Sequence, residues 1–348
     1  MVQSQYLKWG NGMRIVVDAF GGDNAPLCNI EGALAAREEY NVDVVLSGNG
    51  EKLKKCAEEN GLSLDGIEIL EAPEVFSMYS QPTDILRSGK NTSLAVGMQY
   101  VADGNADAFV SAGSTGAIVV GGTFICRRIK GVKRPALGSL VPTENGTVML
   151  TDIGANADCR PEMLRQFAVM ANAYLNKVSG IKSPKIGLLN IGTEDSKGGE
   201  LQIEAFRLLK SAPIDFVGNI EAREIAKGPC DAVISDGFTG NVALKMYEGV
   251  AITLFSIIKK TFRKNLKTKL AGLLAKRDMR GLKKLFDASE VGGAPLLGVA
   301  APVIKAHGNS DKNAIKNAIR QAKLAAENGL CAAIAEGIAA SEAAGKEE

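Results

Sequence analysis

Apolar, β-branched runs alternate with segments of helical spacing along most of this chain, and the alternation limits the folds open to it. The strand-like runs cover residues 14–18, 43–47, 67–70, 108–111, 137–141, 148–152, 185–190, 215–217 and 232–235. Helical apolar spacing lies between them, over residues 31–40, 94–102, 161–175 and 200–209. Strands and helices in alternation predict an α/β fold, a mostly parallel three-layer sandwich with helices on both faces of the sheet.

One stretch departs from this alternation. Between residues 137 and 152 the connector Thr143–Gly146 is too short for a crossover helix, which predicts a hairpin. Residues 291–297 resemble a glycine-rich turn, and two Ala-rich helices are expected over 313–326 and 331–344. The 348 residues contain no evident linker. We therefore expect one domain over 13–348, after an N-terminal extension over 1–12 or a start at Met13.

Five strand-like runs end in loops that combine glycine with small polar or acidic residues. Their sequences are VDAFGGDNAP, SAGSTGA, TDIGAN, NIGTEDSKGG and SDGFTGN. Because the carboxyl ends of parallel strands meet at one edge of a sheet, we expect the five loops to converge there. Glycine lets backbone approach a ligand, and free N–H groups at helix starts suit an anion. Each loop alone is also typical of a capped helix start, but together they predict a phosphate site.

Several other site types are excluded by the motifs that the sequence lacks. It has neither a P-loop nor the spaced glycines of a dinucleotide site, so a nucleotide is not implied. We expect no metal, because acidic residues at separate strand ends are usually hydrogen-bond anchors. The six cysteines form no Cys-x-x-Cys pair, as expected in a reducing cytoplasm. The N-terminus lacks the apolar core of a signal peptide, and no uninterrupted apolar run reaches the roughly 18 residues of a membrane span.

A basic segment stands out against a formal net charge of only +2. Residues 251–286 contain eleven Lys or Arg and a single acidic residue, Asp278. Leu, Ile and Phe are interspersed, which predicts one long or two short amphipathic helices over 251–290. Three uses stay open for this segment: binding to an anionic membrane surface, packing in a dimer interface, or docking of an acidic partner protein.

Taken in order, the sequence blocks resemble one known family. These blocks are VDAFGGDNAP, SAGSTGA, RIKGVKRPAL, DIGANAD, LLNIGTEDSKG, FVGNIEAREI, DGFTGNVALK, GGAPLLGV and IKAHGNS. They resemble the bacterial acyl-ACP:phosphate acyltransferases of phospholipid synthesis (PlsX). The resemblance implies a fold like those of phosphotransacetylase and isopropylmalate dehydrogenase, with a protruding basic helical hairpin. It also implies a homodimer that needs no cofactor.

The resemblance further implies transfer of a long acyl chain from acyl carrier protein to inorganic phosphate. The acyl phosphate product would serve the next acyltransferase, a membrane glycerol-3-phosphate acyltransferase. We therefore expect a cytoplasmic protein bound peripherally to the inner face of the cell membrane, without a nucleic-acid partner. Three alternatives remain: a CoA-dependent short-chain phosphate acyltransferase, a β-decarboxylating dehydrogenase of related fold, and a non-catalytic membrane-associated scaffold.

Attack of phosphate on a thioester requires a binding site for the phosphate anion and hydrogen-bond donors for the developing oxyanion. We expect Lys197 to be the cation for phosphate or the oxyanion, and Asp152 or Asp236 to orient phosphate protons or act as a base. Asn190 is a further catalytic candidate as a neutral donor. The substrate-binding candidates are Asp18, Gly21, Gly22, Asp23, Ser114, Thr115, Asn156, Glu194, Thr239 and Asn241.

The lone histidine, His307, precedes a Gly-Asn-Ser turn. It is a catalytic candidate if it reaches the same edge, and otherwise orients the last loop. Two positions depart from the family pattern: the family usually has histidine where this chain has Asn24, and asparagine where it has Ser114. An acid–base role at position 24 is therefore in doubt, whereas a binding role remains at both.

Overall fold

The computed structural model describes residues 12–286 and 292–344. The expected N-terminal extension over 1–12, except for its last residue, lies outside the described residues, as do the end of the 251–290 segment and the start of the expected 291–297 turn. The strands are β1 Arg14–Asp18, β2 Asp43–Gly48, β3 Glu68–Glu71, β4 Ala108–Ser111, β5 Ala136–Thr143, β6 Gly146–Thr151, β7 Lys185–Asn190, β8 Asp215–Glu221, β9 Ala232–Ile234, β10 Ala294–Leu297 and β11 Val303–Lys305.

Helices connect most of these strands. They are α1 Leu27–Tyr40, α2 Gly50–Glu59, α3 Ser93–Ala102, α4 Thr115–Phe124, α5 Pro161–Lys177, α6 Glu200–Lys210, α7 Gly237–Phe262, α8 Leu266–Leu274, α9 Lys276–Leu285, α10 Lys312–Glu327 and α11 Leu330–Ala344, with 3₁₀ helices at Pro82–Leu86 and Ala222–Lys227. Pro161 begins α5, where its missing N–H costs nothing. The helices expected from apolar spacing are all present.

The eleven strands of the described residues form one sheet, in the order β3–β2–β1–β4–β11–β10–β5–β6–β9–β7–β8. Most neighbours are parallel, and three pairs are antiparallel: β11 with β10, β10 with β5, and β5 with β6. The mostly parallel α/β fold and the expected hairpin at Thr143–Gly146 are thus confirmed. The three antiparallel steps reverse the strand direction, so that β6, β9, β7 and β8 run opposite to β1–β4 and β11.

Two helical layers cover the sheet, since successive residues of a strand point to opposite faces. On the face that carries α3, α4 and α7, one core extends across the sheet and includes Val16, Phe109 and Leu244. The opposite face carries α1 and α10 over one half of the sheet and α5, α6 and α11 over the other. Its cores include Ile15 and Phe167, and the structure is therefore a three-layer sandwich.

The glycine-rich turn expected over 291–297 is wrong for its last four residues, because Ala294–Leu297 forms β10. A second short strand, Val303–Lys305, was also not anticipated. These strands have four and three residues, and their partners outside the β10–β11 pair lie far away in sequence, in β5 and β4. Local periodicity gives little signal for segments so short, because tertiary pairing determines their conformation.

The basic segment was expected to form one long or two short helices, and the structure differs. It contains the second half of α7, which begins at Gly237, followed by α8 and α9. The Phe286 ring stacks on Tyr247 with centroids 6.4 Å apart and lies edge-on to Phe255 at 5.8 Å. The chain therefore returns along α7 as a hairpin. On α7 the buried residues are Gly237, Gly240 and Leu244, all in its first third.

Within the described part of the chain, α7 is long and apolar enough to cross a membrane by length and composition. The full length of this helix was not predicted from the sequence, because Lys245 and Glu248 interrupt its apolar run. Its first half packs on the sheet through Leu244, and its other apolar residues are mostly exposed. Length and composition do not distinguish a membrane span from an exposed interface helix.

Candidate active site

The polar loops lie at two opposite edges of the sheet. The loops after β1, β4 and β11 share one edge, and we call residues 18–26, 111–116 and 305–310 the first cluster. Because β6, β7 and β9 run in the opposite direction, their loops share the other edge. Residues 152–160, 190–199 and 235–241 form the second cluster. The expected convergence of all five loops at one edge is therefore wrong.

In the first cluster, Asp18 is a buried carboxylate at the end of β1. The hydroxyl of Ser93 donates to Oδ1 at 2.6 Å, and that of Ser111 donates to Oδ2 at 2.7 Å. Burial raises the pKa of Asp18, and the two serine hydrogen bonds oppose the rise. A Cβ on Gly21 would lie 2.6 Å from Asp18 Oδ2, so the loop packs directly on this carboxylate. Asp18 orders the strand ends rather than facing solvent.

The β1 loop is joined to the loop after β11. Gly22 has φ +97°, in the left-handed region, and a Cβ there would lie 2.9 Å from the carbonyl of Gly308. The same carbonyl accepts a hydrogen bond from the N–H of Asp23 at 2.7 Å. The Asn24 amide donates to the carbonyls of residues 309 and 310 at 3.3 and 3.1 Å. The side chain of Asn24 therefore stabilises this junction, while that of Asp23 is exposed.

His307 lies in the same junction and is exposed. Its carbonyl accepts from the N–H of Ser310 at 3.0 Å, and its Nδ1 accepts from the N–H of Asn309 at 3.4 Å. Both contacts shape the turn after β11. Ser114 is the N-cap of α4 without a capping side-chain hydrogen bond, and Thr115 is the first residue of the helix. The hydroxyls of both residues remain candidates for binding a ligand.

In the second cluster, Asp152 is fully buried after β6 and accepts five hydrogen bonds. Its Oδ1 accepts from the backbone N–H groups of Leu137, Gly154 and Ala155 at 3.0 to 3.2 Å. Its Oδ2 accepts from the backbone N–H and the amide of Asn156 at 2.8 and 2.9 Å. Burial raises the pKa of Asp152, and these donors oppose the rise. The carboxylate holds the DIGAN loop in one conformation.

The loop after β9 interlocks with the DIGAN loop. Asp236 caps α7, with Oδ1 accepting from the N–H of Thr239 at 2.8 Å and Oδ2 from its hydroxyl at 2.7 Å. The Asn241 amide donates to the carbonyl of Ile153 at 2.8 Å. A Cβ on Gly240 would lie 1.9 Å from the carbonyl oxygen of Asp152, so only glycine fits there. The start of α7 is thereby fixed against β6.

The third loop of this cluster follows β7, the neighbour of β9. Asn190 donates its amide to the carbonyl of Lys197 at 3.0 Å, and its Oδ1 accepts from the N–H of Ile191 at 2.8 Å. The Asn219 amide donates to the carbonyl of Glu194 at 2.8 Å. Lys197 Nζ lies 3.8 Å from the Glu194 carboxylate, and both side chains are about half exposed. Such an exposed pair is weak, so the Lys197 ammonium can bind another anion.

The second cluster thus brings together four of the five catalytic candidates, and the first cluster holds the fifth, His307. Asp152, Asp236 and Asn190 make internal hydrogen bonds that position the loops, which leaves Lys197 and the N-terminus of α7 to face a ligand. A helix N-terminus favours a negatively charged group. In residues 12–286 and 292–344 no group of three or more His, Cys, Asp or Glu is arranged to hold a metal ion.

Three residues that shape the first cluster were not among the predicted site residues: Asn29, Ser93 and Lys305. The buried Asn29 amide donates to three backbone carbonyls between residues 18 and 21 at 2.9 to 3.2 Å. Ser93 binds Asp18 from α3, across 75 positions of sequence that no local motif can bridge. Lys305 ends β11 and pairs in register with Ser111. No local pattern indicated Lys305, because β11 has only three residues.

Comparison with known proteins gives concordant results. The model of a family described as fatty acid synthesis protein matches residues 13–333. The chain is 46% identical over 310 residues to the phosphate acyltransferase of Clostridioides difficile, covering 89% of this chain and 91% of that protein. It is 47% identical over 312 residues to that of Oceanobacillus iheyensis, covering 89% and 93%.

A solved phosphotransacetylase from Streptococcus pyogenes has a similar fold. The structures align with a TM-score of 0.62 at 21% identity, covering 91% of this chain and 95% of the other. At this identity the likeness concerns the fold alone, and it agrees with the three-layer sandwich described above.

Proposed function

Since the chain belongs to the phosphate acyltransferase family, we propose that it transfers a long-chain acyl group from acyl carrier protein to inorganic phosphate. An acyl phosphate for phospholipid synthesis is the product. One observation carries the proposed location of the reaction: three neighbouring strands, β6, β9 and β7, place their loops together at the N-terminus of α7. A membrane glycerol-3-phosphate acyltransferase would then consume the product.

In this proposal Lys197 neutralises the phosphate or the oxyanion that forms on the thioester carbonyl. Its ammonium is half exposed and only weakly paired with Glu194. In the first turn of α7, the N–H groups of Gly237 and Thr239 already donate to the Asn156 carbonyl and to Asp236, so the Phe238 N–H is the backbone donor proposed for the developing oxyanion. Asp152 and Asp236 keep this turn in place through the hydrogen bonds that they accept. They act in this scheme as positioning residues.

The reaction is tested by incubating the protein with long-chain acyl carrier protein, with and without orthophosphate, and trapping acyl phosphate with hydroxylamine. We expect hydroxamate only when phosphate is present. Lys197→Met should lower kcat/KM by about 10²-fold or more, as removal of an oxyanion donor typically does. Lys227→Met is the matched control, because Lys227 also pairs with an acidic residue three positions earlier, Glu224, and is half exposed or more.

The identity of the acyl donor is tested by replacing acyl carrier protein with short-chain acyl-CoA. Faster phosphate-dependent turnover of acyl-CoA would overturn the long-chain proposal in favour of the short-chain alternative. Loss of thioester independent of phosphate, or none at all with either donor, would refute the acyltransferase proposal itself. Wild-type activity in Lys197→Met would instead refute the assignment of this residue.

The hairpin of α7, α8 and α9 supports a proposed location at the inner face of the cell membrane, within a homodimer. Several large apolar side chains on it are exposed, among them Leu266, at 83%, and Leu270, at 60%. Lysine and arginine residues lie between them, a combination suited to an anionic lipid surface. The exposed side of the first half of α7, with Val242 and Met246, is the surface proposed for the second copy of the chain.

A further inference from the structure

Four neighbouring strands, β2, β1, β4 and β11, carry a row of polar residues near their carboxyl ends, on one face of the sheet. The row consists of Ser47, Asp18, Ser111 and Lys305. Asp18 pairs in register with Ser47, and Lys305 with Ser111. The β1–β4 register places Asp18 beside Ser111. Since neighbouring strands lie about 4.8 Å apart, the Cα atom of Lys305 is about 5 Å from that of Ser111 and about 10 Å from that of Asp18. Lys305 therefore lies at the end of this row, two strands away from the buried carboxylate of Asp18.

The side chain of Lys305 points to the face that carries α4 and α7. Its strand neighbour Ile304 packs in the core of the opposite face, whereas Val303 packs in the core that includes Leu244 of α7. Side chains two positions apart in a strand share a face, so Lys305 lies on the same side as Val303. Lys245, one residue after Leu244, acts on it electrostatically.

Within residues 12–286 and 292–344, the Lys305 ammonium has no close anionic partner. The hydroxyls of Ser93 and Ser111 already engage both oxygens of Asp18. Among the described residues, no carboxylate lies within 4.0 Å of Lys305 Nζ. The exposed Asp23 acts on it only from a greater distance.

Burial and, to a smaller extent, the charge of Lys245 lower the pKa of Lys305 to about 8, and Asp23 opposes the fall. Lys245 pairs with Glu248 at 2.8 Å on the exposed side of α7. The charge of the exposed Lys245 repels the more deeply buried Lys305 ammonium, and a bound anion would relieve the repulsion. The first turn of α4 begins four residues after Ser111, at the same edge, and its free N–H groups favour an anion too.

We propose that Lys305, with Lys245 and the start of α4, binds a phosphoryl oxyanion of one of the two substrates. This inference rests on the proposed function and adds a second anion site to it. Two sources have this chemistry: inorganic phosphate, and the phosphodiester of the phosphopantetheine arm that carries the acyl thioester. The site lies at the edge opposite Lys197, and α7 connects the two clusters.

Steady-state kinetics of Lys305→Met distinguish these sources. We expect a rise of about 10- to 100-fold in one KM, with a smaller change in kcat, as for loss of a hydrogen bond to a charged group. A rise in the KM for phosphate identifies inorganic phosphate as the ligand, and a rise in the KM for the acyl carrier protein identifies the phosphodiester. Lys323→Met is the control, because Lys323 lies on α10, across the sheet, and donates to the Tyr40 carbonyl.

The pH dependence of anion binding and the Lys305→Arg variant test whether the positive charge of Lys305 holds the anion. An ammonium with a pKa of about 8 is charged below that value, so wild-type anion binding should weaken as pH rises from 7 to 9. Lys305→Arg stays charged and should keep its affinity at pH 9. A purely structural role for Lys305 would not produce this difference.

Calorimetric titration of the full chain with inorganic phosphate, and separately with the holo form of acyl carrier protein, which contains the phosphodiester, measures binding without turnover. Loss of either affinity in Lys305→Met, in a protein that shows no acyl transfer, would support this site while the proposed function fails. Unchanged affinities for both titrants together with unchanged KM values would overturn the inference, as would the same pH dependence in wild type and Lys305→Arg.

Discussion

Replacing Gly240 by alanine tests whether the second cluster depends on direct contact between α7 and the DIGAN loop. The added Cβ would lie 1.9 Å from the carbonyl oxygen of Asp152 and 2.5 Å from the Ser235 hydroxyl. Because the first contact is with backbone, rotation of a side chain cannot relieve it. Overpacking of this kind costs about 1–3 kcal/mol, and the gain of about 1 kcal/mol in helix propensity offsets only part of it.

Gly249 provides the matched control on the same helix. A Cβ at Gly249 would meet no atom within 4 Å, so Gly249→Ala should gain the helix propensity without the clash. The two alanine variants thus differ by about 1–3 kcal/mol. With about 2 cal/mol/K of unfolding entropy per residue over this chain, each kcal/mol shifts the thermal midpoint by roughly 1.5 °C.

Circular dichroism melts of wild type and both variants measure the difference, and hydroxamate formation reports the state of the site. We expect Gly240→Ala to melt about 2–5 °C below Gly249→Ala and to lose most of its activity, because the displaced Asp152 loop no longer fixes the N-terminus of α7. Equal midpoints and equal turnover in the two variants would refute the argument from close packing.

Further predictions concern the two buried carboxylates and the helical hairpin. Because burial raises the pKa of Asp18, its contribution to stability is full below the unfolded value of about 3.9 and is lost as pH rises through the folded pKa. Asp18→Asn should therefore flatten the fall in melting temperature as pH rises above about 4, and an unchanged slope would contradict this. Asp152→Asn should lower the free energy of unfolding in urea titrations by about 2 kcal/mol or more, because an amide nitrogen cannot accept from backbone N–H groups. At Asp18 the same change is milder, because the Ser93 hydroxyl can reorient. An unchanged urea midpoint for Asp152→Asn would argue against this. Wild-type protein should float with anionic liposomes at low salt, and Leu266→Asp should reduce flotation; no flotation of wild type at low salt would exclude the membrane proposal.

Local pattern was enough to predict most of the fold. The strands Arg14–Asp18, Ala108–Ser111 and Lys185–Asn190 were predicted with their observed bounds, because long buried β-branched runs between glycine-rich loops leave few alternatives. The hairpin at Thr143–Gly146 followed from the length of its connector. By contrast, β10 and β11 are too short for periodicity to show, and both depend on partners far away in sequence.

The arrangement of the site was harder to predict for the same reason. Each loop was identified from glycine and capping residues, but the edge that it occupies depends on strand direction. That direction reverses through β10 and β5, and β10 was not recognised as a strand. A carboxylate that positions a loop also has the same sequence signature as one that binds a ligand. Only the hydrogen bonds in the structure show that Asp152 and Asp236 position loops, whereas the half-exposed Lys197 can contact a ligand.

The helix α7 makes it possible for the two clusters to act on one elongated substrate. It begins in the second cluster at Gly237 and reaches Lys245, whose charge acts on Lys305, eight residues later, a rise of about 12 Å. A small acyl donor would contact one end of this path, whereas a thioester carried on a long phosphorylated arm would contact both. If both ends bind the same donor, Lys197→Met and Lys305→Met should show non-additive losses in kcat/KM, and strictly additive losses would indicate independent sites.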